Sequence, residues 1–360
     1  MTLNVKDMSR VHHLARRLEQ DIQRRGFRVG DKYITAEAAG QMLDVSRMTA
    51  NRAMNVLARR KVLVRYRSRG TFIGPAANLL PAVNIKTVHF ITFVDDASEV
   101  HLPVGAMLAG LQAAIPQVSL QSHCMPLQGA LAFVQRVVET VRSNPSFGGF
   151  VLSLGTRQVQ QYLAQSGLPT VVHGSVYAGI SLPCVESDQD SVGRIMVRQA
   201  LAAGHRRMVW VNRELWRRGD EVAFDGMMDE VHAAGLERGT ITVRNTPVDP
   251  SDVSVAIHGW LDKLEPPVAL LCRESHCAQV VLRAAMQRHL RMPKDIFVVY
   301  DNSGMDTVTE PLPNSASVRC KMSLKEEYAL IGRMLAQMAA DMSTDPESVL
   351  LPVFPYPAQV

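Results

Sequence analysis

The apolar positions change period twice along the chain. In MSRVHHLARRLEQDIQRR, residues 8–25, Val11, Leu14, Ala15, Leu18 and Ile22 recur at helical spacing with arginines between them, and Gly26 stops the pattern. Thr35 is placed to cap a short second helix, TAEAAGQML, which Asp44 and Val45 end. Ser46 caps a third, running to about Arg60, with Ala53, Met54 and Leu57 on its inward face. The period then drops to two. VLVRY and TFIG flank the turn Arg67-Ser68-Arg69-Gly70, which predicts a β-hairpin with Gly70 available for a positive φ. GPAANLLPAVNIK, residues 74–86, holds two prolines and little periodicity and reads as a linker.

From Thr87 onward strand and helix patterns alternate. VHFITFV, VSLQSHC, GGFVLSL, TVVHG, RRMVWVN, ITVR, VALLC and IFVVY read as strands. Helices are predicted over 105–115, 130–141, 157–165, SVGRIMVRQALAAG, 252–264 and 276–289. Such βα repetition over about 270 residues predicts parallel sheets covered by helices, in an α/β body of two Rossmann-like lobes with a cleft between them. The expected division is a head over 1–74, a linker over 75–86 and a body over 87–360.

Charge sharpens this division. Residues 1–75 hold 16 Lys+Arg against 6 Asp+Glu, whereas the rest holds 23 against 28. A basic, foldable head on a mildly acidic body points to nucleic acid as the head's partner. No run of about 18 apolar residues is present, so no membrane span is expected. The start has no apolar secretory core, and a cytoplasmic protein is expected. The five cysteines are scattered without metal-ligand spacing and read as reduced, mostly buried thiols. GxSxG, GxxxxGK[ST], HExxH and a post-strand GxGxxG are all missing from the sequence, so no enzyme, cofactor or metal is expected. His12, His13 and His205 lie among arginines and read as surface residues.

Three helices followed by a hairpin make a winged helix-turn-helix. Ser46, Arg47, Thr49, Asn51 and Arg52 open the third helix, where arginine can take guanine edges and asparagine an adenine edge in the major groove of double-stranded operator DNA. Arg67, Ser68, Arg69 and Gly70 can meet phosphates or the minor groove from the wing. The segment GDKYITAEAAGQMLDVSRMTANRAMNVLARRKVLVRYRSRGTFIG resembles the GntR family of bacterial transcription regulators, most specifically at VSRMTANRAM and RGTFIG. The resemblance implies DNA contacts by Arg47, Thr49 and Arg52 and by Arg69 and Gly70 of the wing. The family's Leu-Pro-Ser-Glu-Arg entry to the second helix is replaced by Tyr33-Ile34-Thr35-Ala36-Glu37. An acidic Glu37 therefore stands at the basic contact, while Thr35 keeps a hydroxyl for phosphate.

Open parallel sheets bind ligands beyond the carboxyl ends of their strands. That rule selects Asp95, Asp96, His173, Arg273, Glu274, Asp301 and Asn302, polar groups suited to sugar hydroxyls or an anionic metabolite. VESDQDSVGRIMVRQALAAGHRRMVWVN, FDGMMDEVHAAGL and MPKDIFVVYDNSGMD resemble, in order, the LacI/GalR repressors and periplasmic sugar-binding proteins. The resemblance implies a periplasmic-binding-protein-like sensor in which Asp301 meets the effector. It also shows two departures: Glu274-Ser275 replaces an asparagine-aspartate pair, and Ala223 replaces an arginine that clamps sugar hydroxyls. A GntR-type head on such a body is the arrangement of the arabinose repressors. The expectation is a homodimeric repressor modulated by a sugar or related small molecule, or else a regulator whose body has lost its effector.

Overall fold

The computed structural model describes residues 11, 14–15, 17–19, 21–22, 25, 27–66, 68–75, 85–93, 103–143, 148–304, 312–340 and 346–356. In the head, Leu14, Leu18 and Ile22 of an opening helix pack with Tyr33, Leu43, Met54, Leu57, Leu63 and Ile73 in one core. Thr35 caps helix Ala36–Leu43 by accepting from the Ala38 N–H at 3.2 Å, and Asp44 ends it in the left-handed region. Ser46 caps helix Arg47–Arg59 by accepting from the Thr49 N–H at 3.2 Å. Strands β1 (Leu63–Tyr66) and β2 (Gly70–Ile73) pair antiparallel as the wing, and Gly70 has φ +100°. Tyr33, buried where the GntR pattern has leucine, donates its hydroxyl to Asp21 at 2.8 Å and so ties the opening helix to the entry of the second.

The body contains two six-stranded sheets. The first is formed by β3 (Thr87–Phe93), β4 (Ser119–Met125), β5 (Gly148–Ser153), β6 (Thr170–His173), β7 (Cys184–Ser187) and β13 (Val349–Leu351). Its order is β13-β7-β6-β5-β3-β4, and every pairing is parallel. The second contains β8 (Met208–Arg213), β9 (Ile241–Thr246), β10 (Val268–Cys272), β11 (Ile296–Asn302), β12 (Ser315–Cys320) and β14 (Val353–Tyr356). Its order is β14-β12-β11-β10-β8-β9, with only β14 antiparallel.

Both faces of each sheet are covered. Helices Val104–Ala114 and Leu324–Ala340 bury one face of the first sheet, and Ala130–Ser143 and Arg157–Ser166 the other. Gln189–Ala202 and Arg218–Ala233 bury one face of the second, and Pro250–Leu261 and Ser275–Gln287 the other. Continuous apolar strands such as FITF and VALLC follow from this two-sided burial.

The chain passes between the sheets three times: after β7, after β12 and between β13 and β14. Strands β7, β12, β13 and β14 and helices Arg218–Ala233 and Leu324–Ala340 are additions to the elements predicted from the sequence. Asp301 and Asn302 also prove to be the last residues of β11 rather than the turn after it. The surface assignment of His205 is corrected. The ring is 3% exposed, stacks on Phe297 at 5.8 Å between centroids and places Nε2 2.8 Å from the Pro293 carbonyl, so flanking arginines misrepresent its surroundings.

Candidate nucleic-acid interface and ligand site

Helical geometry sorts the head's polar residues. Ala50, Ala53, Met54 and Leu57 of helix Arg47–Arg59 are buried, which turns Arg47 and Arg52 outward and leaves Thr49 and Asn51 half-buried beside them. Thr35 and Ser46 are exposed at their caps, and the Ser46 and Thr49 hydroxyls are 2.9 Å apart. Ser68, Arg69 and Gly70 are exposed at the wing tip, whereas Arg67 lies outside the described residues. Arg65 of β1 donates to Asn55 Oδ1 at 2.5 Å and fastens the wing to the third helix. That contact was not legible beforehand, because both residues read as ordinary polar positions. Glu37, Gln41, Asp44 and Arg47 line an open depression of about 400 Å³, so Glu37 does share a surface with the third helix.

The second sheet reverses its strand order between β10 and β8, the place where a doubly wound sheet opens a ligand crevice. Arg213 ends β8 and Arg273 follows β10 there. Arg273 donates from Nε to Asp220 Oδ1 at 2.7 Å, from Nη2 to Gln189 Oε1 at 2.9 Å and from Nη1 to Asp301 Oδ2. Arg213 lies 3.4 Å from Asp220 Oδ2 and 3.2 Å from Glu274 Oε1. Charges thus alternate through Glu274, Arg213, Asp220, Arg273 and Asp301. Burial drives the Asp220 carboxyl upward, but Arg213, Arg273 and the Arg217 N–H outweigh it and hold the carboxyl below its usual range. The first sheet brings Ser175, whose hydroxyl donates to Glu186, and a Cβ on Gly219 would lie 2.9 Å from that hydroxyl's oxygen.

Of the residues selected from the sequence, Arg273, Glu274 and Asp301 therefore meet in one cluster. His173 does not join it. Its Nε2 lies 2.8 Å from Glu327 and its ring meets Tyr328 edge-on. Asp95 and Asp96 lie outside the described residues. Asp220, Gln189, Arg213, Ser175 and Glu186 were missed, although the strand-end rule applied to RRMVWVN would have found Arg213. Ala223 is fully buried against the second sheet, so its position offers no route into the crevice. Arg217 stacks over Phe93 at 4.3 Å, and Arg218 donates to Glu221 at 2.9 Å.

Residues 10–73 match the bacterial regulatory proteins of the gntR family, and residues 197–359 match the periplasmic-binding-protein-like domain. The chain joins a gntR-family DNA-binding head to a periplasmic-binding-protein-like body. This regulator is 22% identical over 346 residues to the arabinose metabolism transcriptional repressor of Geobacillus stearothermophilus, covering 88% of each chain. It shares its fold with the transcriptional regulator CelR in complex with cellobiose, at TM-score 0.62 and 16% identity over 90% of this chain and 98% of that one. It shares the body fold with a LacI-family regulator from Enterococcus faecium with bound ribose, at TM-score 0.61 and 14% identity over 76% and 100% of the two chains. Among the described residues, no helix is long and apolar enough to cross a membrane.

Proposed function

We propose that the protein is a homodimeric, non-enzymatic, cytoplasmic repressor: residues 1–74 bind operator DNA, 75–86 link, and 87–360 sense a sugar or related small metabolite and dimerise. Arg47, Thr49, Asn51 and Arg52 would enter the major groove, with Thr35, Ser46 and the wing residues Arg67, Ser68, Arg69 and Gly70 on the backbone. The observation that carries this reading is the outward Arg47–Arg52 face, held by a helix whose opposite face is buried. The relatives named for arabinose metabolism, cellobiose and ribose support a sugar-like effector. Effector binding would shift the dimer between states by its differential affinity for them.

Selection of duplexes from a random pool by the full chain tests the reading. An inverted repeat whose binding weakens with one small metabolite is expected; a pool that never converges removes the sequence-specific function. A second reading, an effector-free regulator, is favoured by one observation: Arg273 already occupies Asp301. Under that reading no metabolite changes operator affinity.

A further inference from the structure

The crevice of the second sheet has its buried acceptors already engaged. Asp220 Oδ1 takes Arg273, and Oδ2 takes the Arg217 N–H at 2.8 Å with Arg213 beside it. Asp301 Oδ2 takes Arg273, and Oδ1 takes the Ser303 N–H at 2.8 Å. With Asp220 1% and Asp301 6% exposed, neither carboxylate is available to the hydroxyls of an entering neutral sugar. Donors are in surplus instead. A guanidinium has five N–H bonds. Three of those on Arg273 are engaged, which leaves one on each terminal nitrogen. Two such donors can take a carboxylate or phosphate bidentately.

The surroundings agree. The backbone at Gly219 passes close to the guanidinium: a Cβ there would lie 3.4 Å from Arg273 Nη2 and 2.9 Å from Ser175 Oγ. Glu186 faces Arg273 and Arg218 from the first sheet; burial raises its pKa, and the Ser175 hydroxyl and Arg273 pull against that rise. Arg217, stacked on Phe93, adds a further positive charge where the two sheets approach. Resting on the sensor reading above, the geometry points to an anionic effector, a sugar acid or sugar phosphate, clamped by Arg273. Asp220 and Asp301 act as positioning residues that hold the guanidinium from behind, and Gln189 fixes its remaining edge. Arg273 reaches the crevice from the carboxyl end of β10, whereas Ala223 is buried in helix Arg218–Ala233.

Thermal unfolding of the full chain with gluconate, glucuronate, glucose 6-phosphate, inorganic phosphate, glucose, arabinose and cellobiose tests the proposal. A saturable rise in Tm with a sugar anion, and none with the neutral sugars, is expected. Arg273→Lys keeps the charge without the fork and should bind that anion about tenfold more weakly or worse. Asp301→Asn, which loosens the hold on the guanidinium from behind, should also weaken binding of that anion. A neutral sugar that stabilises wild type and Arg273→Lys alike overturns the anion clamp but leaves the sensor reading standing. If no probe shifts Tm or operator affinity, while sequence-specific DNA binding persists, both the clamp and the sensor reading fall. If Arg273→Lys lowers Tm but binds the anion as tightly as wild type, the ladder of charges is structural only and the clamp is refuted.

Discussion

Met48 is 69% exposed at the start of the third helix, between Arg47 and the half-buried Thr49. A large apolar side chain with no core to join suits the methyl group of thymine in the major groove. Met48→Ala should therefore relax preference at one base pair while leaving the salt dependence unchanged. Arg47→Ala and Arg52→Ala should each cost about 1–3 kcal/mol of specific binding where the side chain grips guanine. Arg69→Ala, by contrast, should weaken binding across all sequences and lower the salt slope by about one. Titration of selected and scrambled duplexes at several salt concentrations separates these outcomes, and equal losses on both duplexes for Arg47→Ala would displace it from the base edges. These head residues were legible because helical periodicity alone sorts Arg47 and Arg52 from Ala53 and Leu57. The cluster around Arg273 was only half legible. Arg273, Glu274 and Asp301 follow or end their strands, but Asp220 and Gln189 are the first turns of helices whose partners lie far away in sequence. Nothing local in RRGDE marks Asp220 as the carboxylate that orients an arginine 53 positions later.

At the scale of elements, close backbone approach matters as much as apolar pattern. A Cβ on Gly193 would lie 1.9 Å from the Ala223 carbonyl, and one on Gly226 would lie 2.3 Å from that of Asp190. Helices Gln189–Ala202 and Arg218–Ala233 are thus nearly in backbone contact. Helices Val104–Ala114 and Leu324–Ala340 meet in the same way: a Cβ on Gly110 would lie 2.3 Å from the Lys325 carbonyl. Neither helix pair can accept a methyl group without moving apart, so Gly193→Ala and Gly110→Ala should each destabilise by about 1–3 kcal/mol or more. Ser46→Ala should cost the head about 1 kcal/mol through the lost cap, without touching either pair. Urea unfolding measures all three, and an unchanged midpoint for Gly193→Ala would contradict the packing described. The alternating strands and helices were readable because each carries its own period. Strands β13 and β14 were not: three and four residues long, they carry too little pattern to declare a strand. Their partners β7 and β12 belong to different sheets, which only the three-dimensional path of the chain decides.

For the whole molecule, titratable groups divide the two sheets into different pH windows. His89 of β3 and His123 of β4 stack with Nδ1 and Nε2 2.9 Å apart, beside a cavity of about 180 Å³ that Gln121 and Arg136 also line. Burial first, and then the neighbouring His123, lowers the His89 pKa from 6.5 to about 4; burial lowers His123 as well. Below pH 6.5 the unfolded chain takes up protons that the folded first sheet refuses. Stability there falls as pH drops toward 4, by at most about 3 kcal/mol for His89. Asp220 behaves differently. Its folded pKa lies below 3.8, so its contribution is complete above 3.8 and is lost only as pH falls through the lower folded value. Acidification from pH 7 to 5 should accordingly weaken the first sheet while sparing the second. All three tryptophans, Trp210, Trp216 and Trp260, lie on the second sheet or pack against its cores. Their fluorescence reports that sheet alone, whereas far-ultraviolet circular dichroism reports both. At pH 7 the two urea midpoints should lie close together. At pH 5 the dichroism midpoint should fall below the fluorescence midpoint, and His89→Gln should narrow the gap. Coincident midpoints at both values would mean that the sheets unfold as one unit or that the histidine pair is more accessible to protons than its burial implies. In either case the two sheets could not be set against each other by pH, and an effector would act on a body that responds as a whole.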